Sequence, residues 1–168
     1  DFNAGRMDSA SSSFCSGLHP HDVRLGIGVN AANPLDSLFA AIHEVGHGLY
    51  HQGLPPMKWS TPLGRGASLG VHESQARWWE NFIARGPSFW KYFFPRLQSL
   101  FPESLANVAS ETFYAAINDV RPSLIRVEAD EVTYNLHIVV RTTLERDLIN
   151  GNLSVDDLPE AWNCTTEQ

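Results

Sequence analysis

Ala40-Ala41-Ile42-His43-Glu44-Val45-Gly46-His47-Gly48-Leu49-Tyr50 is the stretch from which the rest of the chain is read. It contains His-Glu-x-x-His. On a helix this spacing sets His43 and His47 one turn apart on a single face, with both imidazoles reaching toward one point. Two rings presented that way form half of a tetrahedral zinc site. Glu44 lies about 100° around the helix from His43, where its carboxylate reaches a water at the metal rather than the metal itself, the position of a general base. The ordinary alternative is a surface helix with two solvated histidines. The uncharged flanks Ile42, Val45, Gly46, Gly48 and Leu49 argue against it, because buried ring nitrogens need partners and a metal is the commonest one.

Working outward, Asn33-Pro34 reads as the start of this helix, with Asn33 as N-cap, Pro34 at the first helical position and Asp36 in the first turn. The helix is expected to run to about His51 and to end at Gly53-Leu54-Pro55-Pro56. Upstream, residues 22–29 alternate, with Val23, Leu25, Ile27 and Val29 on one face, and predict a strand. That strand is expected to lie along the cleft, where its backbone can pair with an extended peptide. Residues 1–20 are rich in serine and glycine and read as an irregular arm.

Downstream, residues 68–85 read as a second helix stopped by Gly86-Pro87, with Trp78 and Trp79 in the core. Residues 88–100 form an aromatic helix that Pro95 kinks or divides. Pro102 opens a helix that continues, with a break, to about Asn118. Residues 128–150 carry apolar side chains at helical spacing up to a Gly151 stop, and residues 154–163 hold one short helix. The fold class expected is mainly α, with a small β-sheet near the metal site.

The chain has 168 residues, 43% hydrophobic and 18% charged, enough for one core, so residues 1–168 are expected to form a single domain. A formal net charge of −7 and a pI near 5.4 argue against nucleic acid or an anionic membrane surface as partner. Cys15 and Cys164 make no Cys-x-x-Cys pair, which excludes a disulfide framework or a cysteine zinc site and leaves a single bridge between them open. There is no run of eighteen apolar residues and no signal-peptide pattern at residues 1–6, so a cytoplasmic location is the default.

A catalytic zinc takes a third protein ligand and leaves the fourth position for water. His72-Glu73-Ser74-Gln75 on the second helix offers two, His72 and Glu73. With this motif in view, the chain resembles the carboxypeptidase Taq family of zincin metallocarboxypeptidases, which pairs His-Glu-x-x-His with a downstream His-Glu-Ser-Gln/Gly. The resemblance assigns Glu73 as the metal ligand and leaves His72 as a substrate contact or alternative ligand. A further family signature stands as Ile125-Arg126-Val127-Glu128-Ala129-Asp130, continuing to Tyr134 and His137.

The resemblance implies a helical zincin-like catalytic core and covers about the last third of a full-length member. It has departures. Ser12-Ser13-Phe14 stands where the family has His-Pro-Phe, and Asp22-Val23-Arg24-Leu25-Gly26 has glycine in place of a threonine. The family's final Gly-x-x-Gln-Asp-x-His-Trp motif and its N-terminal helical region are missing. The apolar surface left uncovered implies self-association, as a homodimer, or a partner chain.

The chemistry expected is hydrolysis of C-terminal peptide bonds at one divalent metal ion, zinc or cobalt, with Glu44 as general base. The resemblance implies Arg126 as the cation that receives the substrate's terminal carboxylate, a role suited to a planar guanidinium. A structural ion pair of Arg126 with Glu128, Asp130 or Glu131 is the competing reading. Arg24 is a weaker candidate for the same role, and Tyr134 or His137 would supply a second electrophilic donor. Glu80, Glu128 and Asp130 are the carboxylates available to orient a ligating histidine. His19, His21 and His51 read as solvated. Two alternatives stand beside the carboxypeptidase: a zincin with endopeptidase or aminopeptidase action, and a truncated homologue that binds metal with little or no activity.

Overall fold

In the computed structural model, residues 1–166 are described, Glu128 by its backbone alone, and the chain forms two compact units, Asp1–Ser110 and Glu111–Gln168. The fold is mainly helical, with a small three-stranded sheet and seven α-helices among the described residues.

The first unit opens with strands β1 (Gly5–Ala10), β2 (Phe14–His19) and β3 (Asp22–Gly28) in the order β1-β3-β2. β1 runs parallel to β3, and β2 antiparallel to it. Residues 1–20 are therefore not an irregular arm. Their strands escape a periodicity reading because they are edge strands with almost no fully buried residue, held by ladder hydrogen bonds to β3 rather than by an apolar face. β3 does show the expected alternation, with Val23, Leu25 and Ile27 buried. Val29 falls outside the strand and is exposed. Because β3 is the central strand, both of its edges are already paired, which removes it as a template for an extended peptide.

Helix α1 (Pro34–Gln52) packs on the Val23 and Leu25 face of the sheet, where Gly48 lets the helix close in: a Cβ there would sit 3.4 Å from Leu25 and 3.5 Å from Val23. Pro34 begins the helix, but Asn33 does not cap it through its side chain; its Nδ2 donates to Asp36 at 2.6 Å instead. Helix α2 (Leu69–Arg77) starts at Ser68, whose hydroxyl accepts from the Val71 N–H at 3.1 Å, and it passes directly into a π-helical turn, Trp78–Ile83. α1 and α2 touch at Gly46 and Ala76, the latter fully buried.

Helix α3 (Pro87–Leu100) stays one element through Pro95, and the short helix α4 (Pro102–Leu105) follows. The core here is Phe39, Ala76, Ala84, Trp90 and Phe94, with Phe39 edge-on to Trp90 at 6.3 Å. Trp78, expected inside, is 46% exposed; Trp90 holds the buried indole position.

Helix α5 (Ser110–Ile117) carries the boundary between the units. The second unit then contains helices α6 (Tyr134–Ile149) and α7 (Leu158–Thr166), with Arg141 stacked 4.8 Å from the Trp162 ring. α6 starts later than residue 128 because Asp130 organises a turn ahead of it. The Asp130 carboxylate accepts from the N–H groups of Arg121, Val132 and Thr133 and from the Thr133 hydroxyl, at 3.0, 2.9, 2.9 and 2.7 Å. α6 ends before Gly151, the one positive-φ residue described, at φ 73°. Among the described residues, no helix is long and apolar enough to cross a membrane.

Candidate metal centre

The turn of helix between His43 and His47 does what the spacing requires. The two rings meet edge to face with centroids 4.8 Å apart, and their Nε2 atoms lie 3.1 Å from each other. Glu73 arrives from α2, its Oε2 at 3.4 Å from His47 Nε2 and 3.7 Å from His43 Nε2. Donor atoms bound at about 2.0–2.1 Å to one tetrahedral ion lie about 3.3 Å apart, so these separations fit a single cation. The histidine side chains are 16% and 12% exposed and Glu73 is 48% exposed, so the cluster opens to solvent on the carboxylate side.

The tautomers can be assigned from the partners. His43 Nδ1 lies 2.9 Å from Glu80 Oε2, and an ionised carboxylate only accepts. The proton is therefore on Nδ1, leaving the His43 Nε2 lone pair directed at the cluster. Arg77 braces both carboxylates of this arrangement: its Nε donates to Glu73 Oε1 at 3.0 Å and its Nη1 to Glu80 Oε2 at 3.2 Å. His47 has no such support, since its Nδ1 is buried without a hydrogen-bond partner.

The charges around the cluster favour a cation. Burial pushes the Glu80 carboxyl up, but the hydrogen bond from His43 and the charge of Arg77 outweigh it and hold it below its ordinary value. Burial pushes His43 down, and Glu80 and Glu73 more than offset this. His47 is lowered to about 4 by burial and by the neighbouring His72 and His43, so its ring is neutral at pH 7. Glu44 is raised by burial, against His43, with Glu73 and Glu80 raising it further. Three carboxylates, Glu44, Glu73 and Glu80, thus stand against the guanidinium of Arg77 and the more distant charge of Arg85, an imbalance that a divalent ion offsets. Cys15 on β2 is not among the ligand atoms gathered at the cluster; burial, then the charge of Glu44, push its thiol up to about 12.

Of the residues expected at the site, His43, His47 and Glu73 are brought together, with Glu44 close enough to sense the charges of Glu73 and Glu80. His72 is beside them, its ring stacked on His47 at 4.3 Å. Arg24 is set apart. It follows Val23 on β3 and so projects from the face opposite α1, where both ends of its guanidinium bond Asp22 at 2.9 Å. Arg126, Tyr134 and His137 belong to the second unit. There Arg126 Nη1 donates to the Tyr134 hydroxyl, while the His137 carbonyl accepts from Arg141 at 3.3 Å. Asp130 gives its oxygens to the backbone and Thr133, and the Glu128 side chain lies outside the described residues.

Two features were not anticipated. His51 is not solvated; its Nε2 meets His72 Nε2 at 3.1 Å and its Nδ1 is buried. Arg77 was not singled out, although its place four residues after Glu73 and three before Glu80 is the helical spacing for bracing both.

The family model described as Carboxypeptidase Taq (M32) metallopeptidase matches residues 1–168. Thermostable carboxypeptidase 1 of Thermus thermophilus is 52% identical over 162 residues, 96% of this chain and 32% of that protein. Carboxypeptidase 1 of Bacillus subtilis is 39% identical over 163 residues, 97% of this chain and 32% of that one. The crystal structure of an M32 carboxypeptidase from Deinococcus radiodurans superposes with a TM-score of 0.95 at 47% identity, covering 100% of this chain and 34% of that one. The chain thus spans about a third of the length of the relatives it matches.

Proposed function

We propose, because the chain belongs to the carboxypeptidase Taq (M32) metallopeptidase family, that it acts as a metal-dependent carboxypeptidase on the C-terminal bonds of peptides. The observation that carries this reading is the convergence of His43 Nε2, His47 Nε2 and Glu73 Oε2 at 3.1 to 3.7 Å. In it these residues hold one divalent ion, zinc in preference to cobalt. When bound, the ion supplies Lewis acidity toward a peptide carbonyl and eases the deprotonation of a water at the site.

Glu44 is the base. Its carboxylate takes the proton of the attacking water as oxygen bonds to the carbonyl carbon, and returns it to the amine as the carbon–nitrogen bond breaks. Burial and the charges of Glu73 and Glu80 support this role by raising its proton affinity. Glu80 holds His43 in the tautomer whose Nε2 is free. Arg126, oriented by its hydrogen bond to Tyr134, receives the terminal carboxylate of the substrate. His72, stacked on His47, is a contact for the substrate's last residues. A family match that runs through residues 1–168 supports reading them as a single catalytic domain.

A second reading is that the 168-residue chain holds metal with little turnover. It is favoured by His47, whose Nδ1 is buried with no acceptor among the described residues to orient the ring. The deciding experiment offers the metal-loaded chain one peptide with a free C-terminus and the same peptide as its C-terminal amide. Release of single residues from the first alone is expected, with Glu44→Gln slower by about 10²–10⁴-fold at unchanged metal content. Cleavage of the amide moves the assignment to an endopeptidase or aminopeptidase. Metal without turnover supports the second reading, and equal rates for wild type and Glu44→Gln remove Glu44 from the chemistry.

A cytoplasmic setting fits two free thiols, Cys15 and Cys164. Self-association as a homodimer is supported by exposed apolar residues such as Leu69 and Phe82; a gel-filtration volume of a clean monomer would contradict it. The net charge of −7 supports peptide rather than nucleic acid or membrane as the partner.

A further inference from the structure

A second pair of imidazoles stands beside the first. His51, one turn beyond His47 on α1, and His72, from the first turns of α2, bring their Nε2 atoms to 3.1 Å. That is the same separation as between the Nε2 atoms of His43 and His47. Their rings meet edge to face with centroids 4.7 Å apart, against 4.8 Å for His43 and His47.

The pair is held from three sides. The His72 ring stacks on His47 at 4.3 Å and takes the edge of Tyr50 at 5.1 Å. Tyr50 is in turn fixed by the Ala67 N–H, which donates to its hydroxyl at 3.0 Å. The His51 ring lies against β2 at Gly17, where a Cβ would overlap it. These contacts restrict both rings, whose Nε2 atoms meet each other at hydrogen-bond distance when no ion lies between them. Neutral imidazole is a good ligand for divalent copper, nickel and zinc.

The geometry points to His51 and His72 as a second, weaker binding site for a divalent late transition metal, adjacent to the site formed by His43, His47 and Glu73. Two differences make it the weaker. It lacks a carboxylate ligand, so water completes the coordination. It also lacks an orienting acceptor: His43 has Glu80 on Nδ1, whereas His51 Nδ1 is buried with no partner. Outer partners of that kind are worth about 10–100-fold in metal affinity, so the second ion is expected to bind at least that much more weakly than the first. Two cations so close repel each other, which widens the gap. Occupancy therefore requires excess metal, and the second ion would then sit where a substrate has to approach His47.

The test is equilibrium dialysis of the full 168-residue chain against Ni²⁺ alone, with far-ultraviolet circular dichroism to confirm that each variant is folded. Wild type is expected to bind in two classes, one equivalent each. His51→Gln and His72→Gln should each abolish the weak class and keep the tight one. His43→Gln should do the reverse. Should His51→Gln fail to fold beside Gly17, His72→Gln gives the same reading from the other helix. A single class in wild type, or a weak class that survives either His51→Gln or His72→Gln, overturns the inference. A tight class untouched by His43→Gln would instead overturn the site assignment under the proposed function and leave the second pair standing.

Discussion

Gly46 of α1 lies directly against the backbone of Ala76 on α2: a Cβ at position 46 would come within 2.6 Å of the Ala76 Cα and 3.1 Å of the Gln75 carbonyl. The contact is with main chain, which cannot rotate aside, so the helix carrying His43 and His47 approaches the helix carrying Glu73 this closely only with glycine there.

Gly46→Ala should therefore push the two helices apart. The expected cost is about 1–3 kcal/mol of stability from overpacking. Metal affinity should fall with it, because Glu73 leaves its position 3.4 Å from His47. Thermal melts and metal titration of the same preparation check both effects. Wild-type affinity in the variant would show that the helices do not need this contact.

Glu80→Ala removes the acceptor for His43 Nδ1 and frees both the tautomer and the ring orientation. Metal affinity should drop by about 10–100-fold, measured by competition with a chelator. Glu80→Gln, whose amide oxygen still accepts, should recover part of the loss.

Chelation should lower stability, since Glu44, Glu73 and Glu80 then lose the divalent charge and are offset by the guanidinium groups of Arg77 and Arg85 alone among the described cations near them. At a metal concentration about 100-fold above the dissociation constant, the loaded form gains about 2.7 kcal/mol over the stripped one. The gain should vanish in His43→Ala. A melting temperature indifferent to zinc in wild type would contradict the site.

Asp130 gives the second unit an acid-sensitive joint. Burial pushes its carboxyl up, but four hydrogen bonds, two of them from Thr133, bring it down to about 2. A depressed carboxyl stabilises the fold above its unfolded value, about 3.9, and loses that contribution as pH falls through the folded value. The difference in melting temperature between wild type and Asp130→Asn should be complete above about pH 4 and shrink toward pH 2. A constant difference over that range would place the cost elsewhere.

The sequence was most legible where period and chemistry agree. The helix of His43 and His47 follows from their spacing and its start from Pro34, and the buried face of β3 follows from the alternation of Val23, Leu25 and Ile27; spacing alone left His72 and Glu73 both open as the third ligand, and the family resemblance singled out Glu73. What escaped was pairing across elements. β1 and β2 have little periodicity because edge strands of a small sheet bury little. The contact of His51 with His72 depends on how α1 crosses α2, which no local pattern encodes. Glu80 was one of several acceptors available to His43, and only the π-helical turn after Arg77 decides among them.

Arg77 concentrates two duties in one side chain, since the same fork steadies Glu73 and the Glu80 that steers His43. Lysine would keep the charge yet present a single point to carboxylates that need two. Any attempt to retune this centre for a different ion by reshaping one carboxylate will therefore disturb the other, and the guanidinium is the place where both adjustments have to be reconciled.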